Sequence, residues 1–273
     1  MLAQADNSDL KNISIQIRKN ILHMMTGSES SHIGAALSIV EIITILYFKI
    51  LNINPKEPLL DGRDKFILSK AHSSPAVYSV LAEKGFFPKK YLETFYRNGG
   101  ILPGHIDKKA APGIEYSLGS LGHGLPVGIG MAISNKKNGN LGRIFVLLGD
   151  GECDEGSVWE GAMLASHLKL DNLTAIIDYN KIQSFGRTEE VINLEPFAKK
   201  WQSFGWNVFE TNGHDFEDLY HAFVSPHNGR PKMIIAHTIK GKGISFMEDK
   251  LEWHYKCPSE DELKLAIEEL DNP

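Results

Sequence analysis

Apolar residues recur at three- and four-residue spacing from Leu10 through Ile13, Ile17, Ile21 and Met24, which predicts an amphipathic helix ending near Gly27. A second helix is predicted over about 35–51. The most apolar stretch, 33–53, is interrupted by Ser38, Glu41 and Lys49. Charges near the middle of a bilayer are costly, so the stretch reads as a buried helix and not a membrane span. Residues 65–69 (Lys-Phe-Ile-Leu-Ser) predict a short buried strand, with a helix behind it over 75–84. Between 85 and 125 the pattern dissolves. Gly99, Gly100, Gly104, Gly113, Gly119, Gly122 and Gly124 predict mostly loops there, and long ordered loops in compact domains often carry function.

The clearest unit follows: an apolar strand over 143–148, the turn Gly149-Asp150-Gly151, a helix over 155–168 and a second strand over 173–178. Strand, helix and strand in so short a span form a βαβ unit, which implies a parallel sheet with a right-handed crossover. Further strands are predicted at 206–211 and 232–238, with a helix at 216–224 between them. No repeat, low-complexity tract or Pro/Ser-rich linker divides the chain, so residues 1–273 read as one domain. The expected fold is α/β: a doubly wound, mainly parallel sheet with helices on both faces and ligands at the carboxyl ends of the strands.

Composition narrows the function classes. Apolar residues make up 42% and charged residues 23% of the 273, which excludes disordered and fibrous chains. Lys and Arg number 29 against 34 Asp and Glu, a net charge of −5, so no electrostatic footprint for nucleic acid exists. Asp6, Asp9, Lys11, Arg18 and Lys19 occupy the region where a signal peptide needs an unbroken apolar segment. Two cysteines, Cys153 and Cys257, form no disulfide framework and fit a reducing compartment, the cytoplasm by default.

Candidate chemistry lies at two strand ends. Adjacent parallel strands bring the turn at Asp150 beside the turn at 178–182. Asp150 then offers a carboxylate, Asn180 an amide oxygen and Ile182 a backbone carbonyl, all hard oxygen ligands. Mg²⁺ favours octahedral oxygen coordination at roughly 2.0–2.1 Å and commonly completes it with phosphates and water. A helix starting near Glu155 adds the positive end of its dipole. A Gly-Asp-Gly tripeptide alone is better explained by a strand reversing into a helix. Its pairing with Asn180 thirty positions later favours metal-bridged diphosphate binding, and the spacing resembles the thiamine diphosphate motif. The sequence after Gly151 is Glu-Cys-Asp-Glu, so a G-x-G-x-x-G dinucleotide fingerprint is absent from this turn.

Eleven histidines are many for this length, and His32, His72, His105 and His254 sit beside small residues in predicted loops. With the diphosphate motif they make the chain resemble the N-terminal, diphosphate-binding half of a transketolase. The resemblance runs through S-x-S-S-H-I-G-A-A-L-S (28–38), R-D-K-F-I-L-S-K-A-H (63–72), L-P-G-H (102–105), G-S-L-G-H-G (119–124), G-D-G-E-C-D-E-G (149–156) and K-G-K-G-I-S-F-M-E (240–248), with W-H at 253–254. It implies the thiamine diphosphate-binding fold, with Mg²⁺ (or Ca²⁺ or Mn²⁺) held by Asp150, Asn180 and the Ile182 carbonyl. The implied cofactor contacts are His72, Gly119, Ser120, Leu121, Gly149, Asp150, Gly151, Glu152, Asn180 and His254. The implied catalytic set is His32, His72, His105, His254 and Glu155. His32 and His254 are expected to hydrogen-bond substrate oxygens whose charge changes, since imidazole titrates near neutral pH. His105 would hold donor hydroxyls, His72 the developing alkoxide or the diphosphate, and Glu155 a contact between subunits.

Two positions depart from the family pattern: His123 stands where many full-length transketolases have Gln, and Tyr255 follows His254 where related half-subunits often have Gly. The family's pyrimidine-binding and C-terminal domains have no counterpart in this sequence. The resemblance therefore implies a partner chain that supplies the pyrimidine-binding domain, assembly into a heterotetramer, and transfer of a two-carbon ketol unit between small sugars. The alternatives are a half-subunit of another thiamine diphosphate enzyme, of the 2-oxo acid dehydrogenase alpha or deoxyxylulose-phosphate synthase type, or a non-catalytic cofactor-binding scaffold.

Overall fold

Five strands build one sheet in the computed structural model, which describes residues 6–272: β1 (Lys65–Leu68), β2 (Ile144–Gly149), β3 (Leu173–Tyr179), β4 (Asn207–Asn212) and β5 (Lys232–His237). Their order is β1-β2-β3-β5-β4, and every pairing is parallel. Strands buried on both faces read as continuous apolar runs, as 144–148 does. Its side chains divide by the two-residue period of a strand. Ile144, Val146 and Leu148 enter one core, and Phe145 and Leu147 the other.

The core on the Phe145 side is roofed by α1 (Asn7–Ser28), α2 (Ile33–Leu37), α3 (Val40–Ile45), α4 (Ser74–Lys84), and later by α9 (Phe216–Val224) and α10 (Glu260–Asp271). On the opposite face lie α5 (Gly124–Lys137), α6 (Gly156–His167) and α8 (Phe197–Ser203), the last preceded by the one-turn α7 (Thr188–Val191). The sheet is thus covered on both sides, as the doubly wound reading requires. Asp6 caps α1, accepting hydrogen bonds from the backbone amides of Ser8 and Asp9.

The structure differs from expectation in two places. The helix predicted over 35–51 is not continuous: α2 stops at Leu37, Ile39 leaves helical geometry at φ −100° and ψ 6°, and α3 closes in a π-helical turn at Leu46–Ile50. Ser38 sits at the break and donates its hydroxyl 2.6 Å to Asp178 on β3. The second difference is α5, which begins at Gly124 within the stretch expected as loop and continues through residues to which the pattern assigned no element. A Cβ on Gly128 would lie 2.5 Å from the Val146 side chain, so that glycine permits close packing of helix on strand. Helices α8 and α10 are further additions to the sequence pattern, although the Ser259–Glu262 capping box of α10 is a readable start signal. Among the described residues, no helix is long and apolar enough to cross a membrane.

Candidate active site

The register of β2 and β3 pairs Gly149 with Asp178, which places the two turns beyond these strands side by side. A cavity of about 420 Å³ opens there, at the carboxyl end of the sheet. Asp150, Asn180 and Ile182 line it together with His32, His72, His105 and His254, Gly119, Leu121, Gly149, Gly151 and Glu152. A Cβ at Gly151 would lie 2.8 Å from the Gln183 side chain, so a larger residue where the two turns touch requires Gln183 to move. Two residues of the expected set lie outside the lining, one of them, Glu155, expected at a contact between subunits and not in the cavity. Ser120 is exposed and outside the lining, and Glu155 is an exposed residue at the start of α6.

Three imidazoles form one cluster. Ring centroids are 4.8 Å apart for His32 and His254, 5.1 Å for His32 and His72, and 6.1 Å for His72 and His254. His32 takes a left-handed backbone (φ 79°) to begin α2, and its amide donates 2.9 Å to the His254 carbonyl. Burial, with His105 and Lys240 nearby, lowers His32 to about 4. Burial and the Lys240 ammonium lower His254 to about 3, and burial with Lys70 holds His72 well below its usual range. The expectation that His32 and His254 titrate near neutral pH is therefore corrected. Both are neutral hydrogen-bonding groups there, because desolvation disfavours the imidazolium.

Beneath the cavity runs a buried polar layer that sequence reasoning missed. Asp178 is fully buried and accepts hydrogen bonds from Lys70 Nζ (2.5 Å), Ser38 Oγ (2.6 Å), Asn180 Nδ2 (2.9 Å) and Thr238 Oγ1. The Lys70 ammonium holds its carboxyl below the usual range despite burial. Because Nδ2 of Asn180 is used on Asp178, Oδ1 faces the other way, where it accepts from the Ile182 amide at 3.1 Å. Glu152 spends both carboxylate oxygens on Ser69 Oγ and on the amides of Gly122 (2.9 Å) and Gly149 (3.1 Å), tying the loop at 119–122 to the end of β2. Lys240, only 1% exposed, donates 3.0 Å to the Ile182 carbonyl and 2.9 Å to His254 Nδ1. The signal for Lys240 was the K-G-K-G segment, which carried no role on its own. Ala35, Lys70, Gln183, Ser184 and Tyr255 also line the cavity, and the Tyr255 hydroxyl donates 2.5 Å to the Ser184 carbonyl.

The model of the transketolase thiamine diphosphate binding domain matches residues 11–271. The chain belongs to the transketolase family. It is 46% identical to one subunit of an apulose-4-phosphate transketolase from Actinobacillus succinogenes, over 93% of each chain. It is 41% identical to a 6-deoxy-6-sulfo-D-fructose transketolase subunit from a Clostridium species, over 95% of this chain and 97% of that one. The transketolase of Campylobacter jejuni superposes with a TM-score of 0.90 at 30% identity, covering 98% of this chain and 43% of that longer one. This transketolase domain is thus matched along nearly its whole length by the named subunits and spans less than half of that larger enzyme.

The donor set fits a divalent cation. No group of three His, Cys, Asp or Glu side chains clusters as a metal site among the described residues. The three oxygens of Asp150, Asn180 and Ile182 carry a single formal charge, the kind of partial set that Mg²⁺ completes with phosphate and water. Asp150 is buried, and burial together with the neighbouring Asp178 carboxylate raises it to about 6. A carboxylate destabilised in this way gains from a cation.

Proposed function

We propose that this chain is the diphosphate-binding subunit of a two-component transketolase, which moves a two-carbon ketol unit from a ketose to an aldose. The observation that carries this reading is the convergence in one cavity of Asp150, Asn180 and Ile182 with His32, His72, His105 and His254. Thiamine diphosphate, when bound, supplies the nucleophilic carbon and the electron sink for breaking and forming the carbon–carbon bonds. Asp150, Asn180 and the Ile182 carbonyl hold Mg²⁺, or Ca²⁺ or Mn²⁺ in its place, against the diphosphate. Lys240 and Lys70 add positive charge to the same floor. Gly119 and Leu121 border the thiamine end.

The histidines orient sugar oxygens. His254 accepts from Lys240 at Nδ1 and so keeps its proton on Nε2, where it donates to a substrate oxygen as negative charge develops. His32, which is neutral, binds the donor hydroxyls together with His105. The four histidines favour a polyhydroxylated substrate over a simple 2-oxo acid.

A partner chain supplies the pyrimidine-binding domain, and two copies of each chain form a heterotetramer. That the similar chains of matching length are named as subunits supports a partner. So does the exposed apolar face of α6 at Met163 (53%) and Leu164 (46%), with Leu168 just beyond, which needs cover in an assembled enzyme. The names of these relatives favour a ketose with an anionic end, phosphate or sulfonate, as substrate. Free cysteines at Cys153 and Cys257 support a cytoplasmic setting.

Calorimetric titration of thiamine diphosphate with Mg²⁺, with and without the partner, followed by a ketol-transfer assay, tests the reading. Binding and transfer in the mixture support it. Carbon dioxide release from pyruvate with no transfer from any ketose overturns it.

A further inference from the structure

The loop after β5 carries Lys240 into the cavity, and it is held from behind by a buried ionic group remote from the cavity lining. His214, in the turn between β4 and α9, lies against that loop. The Ile239 amide donates 2.8 Å to His214 Nε2, so this nitrogen bears no proton. The ring proton is then on Nδ1, which donates 2.9 Å to Glu41 Oε2 on α3. Glu41 is in turn gripped through both oxygens by Arg18 of α1, at 2.7 and 3.0 Å. Arg18 Nε closes the circuit by donating 2.9 Å to the Lys242 carbonyl.

Lys240 is thus bracketed. His214 holds the amide before it, Arg18 holds the carbonyl two residues on, and the Gly241 amide donates 2.9 Å to the Gly34 carbonyl. Gly241 has φ 80°, and a Cβ there would meet the Met247 carbonyl at 2.4 Å, so the loop has one close-packed path. Arg18 and Glu41 are 4% and 6% exposed, and none of Arg18, Glu41 and His214 lines the cavity. Buried ion pairs are poor contributors to net stability, which leaves specification of one geometry as the use of this one.

We propose that His214 is a positioning residue: through the Ile239 amide it fixes the backbone that aims Lys240 at the Ile182 carbonyl and at His254. The importance of that aim for catalysis rests on the cofactor reading above. The backbone link itself does not.

Two variants of the full chain separate the two ends of the ring. An asparagine amide reaches the place of Nδ1 and keeps a donor to Glu41, whereas a glutamine carbonyl reaches the place of Nε2 and keeps an acceptor for Ile239. Deuterium exchange of peptides spanning 239–243 and trace acylation of the Lys240 amine are the readouts, with the thermal midpoint as control. His214→Asn is expected to raise both by about tenfold, the scale of one lost hydrogen bond, with exchange elsewhere unchanged, and His214→Gln is expected to restore them. Wild-type behaviour in His214→Asn overturns the proposal. Equal loosening in both variants, or loosening spread over the whole chain, also overturns it. With the partner present, His214→Asn is further expected to weaken thiamine diphosphate binding while His214→Gln restores it. Unchanged affinity in His214→Asn, where the wild type binds, overturns the role at the cavity. A wild-type chain that binds no thiamine diphosphate with its partner counts against the cofactor reading alone, since exchange and acylation still decide the link.

Discussion

Lys240 Nζ donates to His254 Nδ1 across 2.9 Å, and this contact fixes the tautomer of the ring that faces the cavity. The same ammonium adds to desolvation in holding His254 at about 3, with His32 at about 4. Histidine NMR titration is therefore expected to show both rings neutral down to about pH 5. A midpoint near the ordinary value for either ring would sink the assignment. Folded values below the unfolded one mean that the unfolded chain takes up protons first. These two groups thus cost stability as pH falls from about 6.5 toward 4.

Asp150 runs the other way. Its value of about 6 lies above the 3.8 of an ordinary carboxyl, so the cation-free fold binds the proton more tightly and loses stability as pH rises from about 4 to 6. The loss is roughly 3 kcal/mol at most, by linkage at 1.36 kcal/mol per unit. Asp150→Ala is expected to flatten that part of the stability–pH curve and to abolish the rise in thermal midpoint given by Mg²⁺ with thiamine diphosphate. Retention of the Mg²⁺-dependent gain would place the cation elsewhere.

Glu152 accepts from Ser69, Gly122 and Gly149 with two oxygens. Glutamine supplies only one oxygen, and its amide group turns a donor toward donors. Glu152→Gln is expected to destabilise the chain by about 1–3 kcal/mol in urea unfolding and to speed amide exchange at 119–122. An unchanged midpoint would show that the loop is held by other contacts.

Lys232, 2% exposed, donates to the carbonyls of Ala222, Phe223 and Ser225 at the end of α9. Burial lowers its ammonium to about 8. Lys232→Met leaves these helix-end carbonyls without their donor, and a loss of about 2–3 kcal/mol is expected in urea unfolding. The site is far from the cavity, so thiamine diphosphate affinity should not change. A variant as stable as the wild type would mean that water replaces the lysine.

What the sequence disclosed follows from range. The β2–β3 unit was legible because its apolar runs and turns are local, and the parallel register then brought Asp150 and Asn180 together without further information. Lys70 was not singled out: a lysine after a short strand looks like a surface residue, and it is buried only because Asp178, 108 positions away, meets it. Lys240 escaped for the same reason, since its partners Ile182 and His254 lie on other loops. Helix α5 went unassigned, and the reason Gly128 stands in it is not local: its close approach to Val146 on β2 is visible only once the two elements are packed. The neutral state of the histidines was likewise unreadable, because burial and a lysine remote in sequence set it.

The four donors on Asp178 come from four separated stretches: Ser38 at the helix break, Lys70 beyond β1, Asn180 beyond β3 and Thr238 beyond β5. Each shares its acceptor with the others, so removing one changes what the remaining three are worth, and their effects will not add. A change tolerated at Ser38 is thus conditional on what stands at Lys70, Asn180 and Thr238. The cavity floor can vary only along those few mutational routes in which compensating changes arrive together.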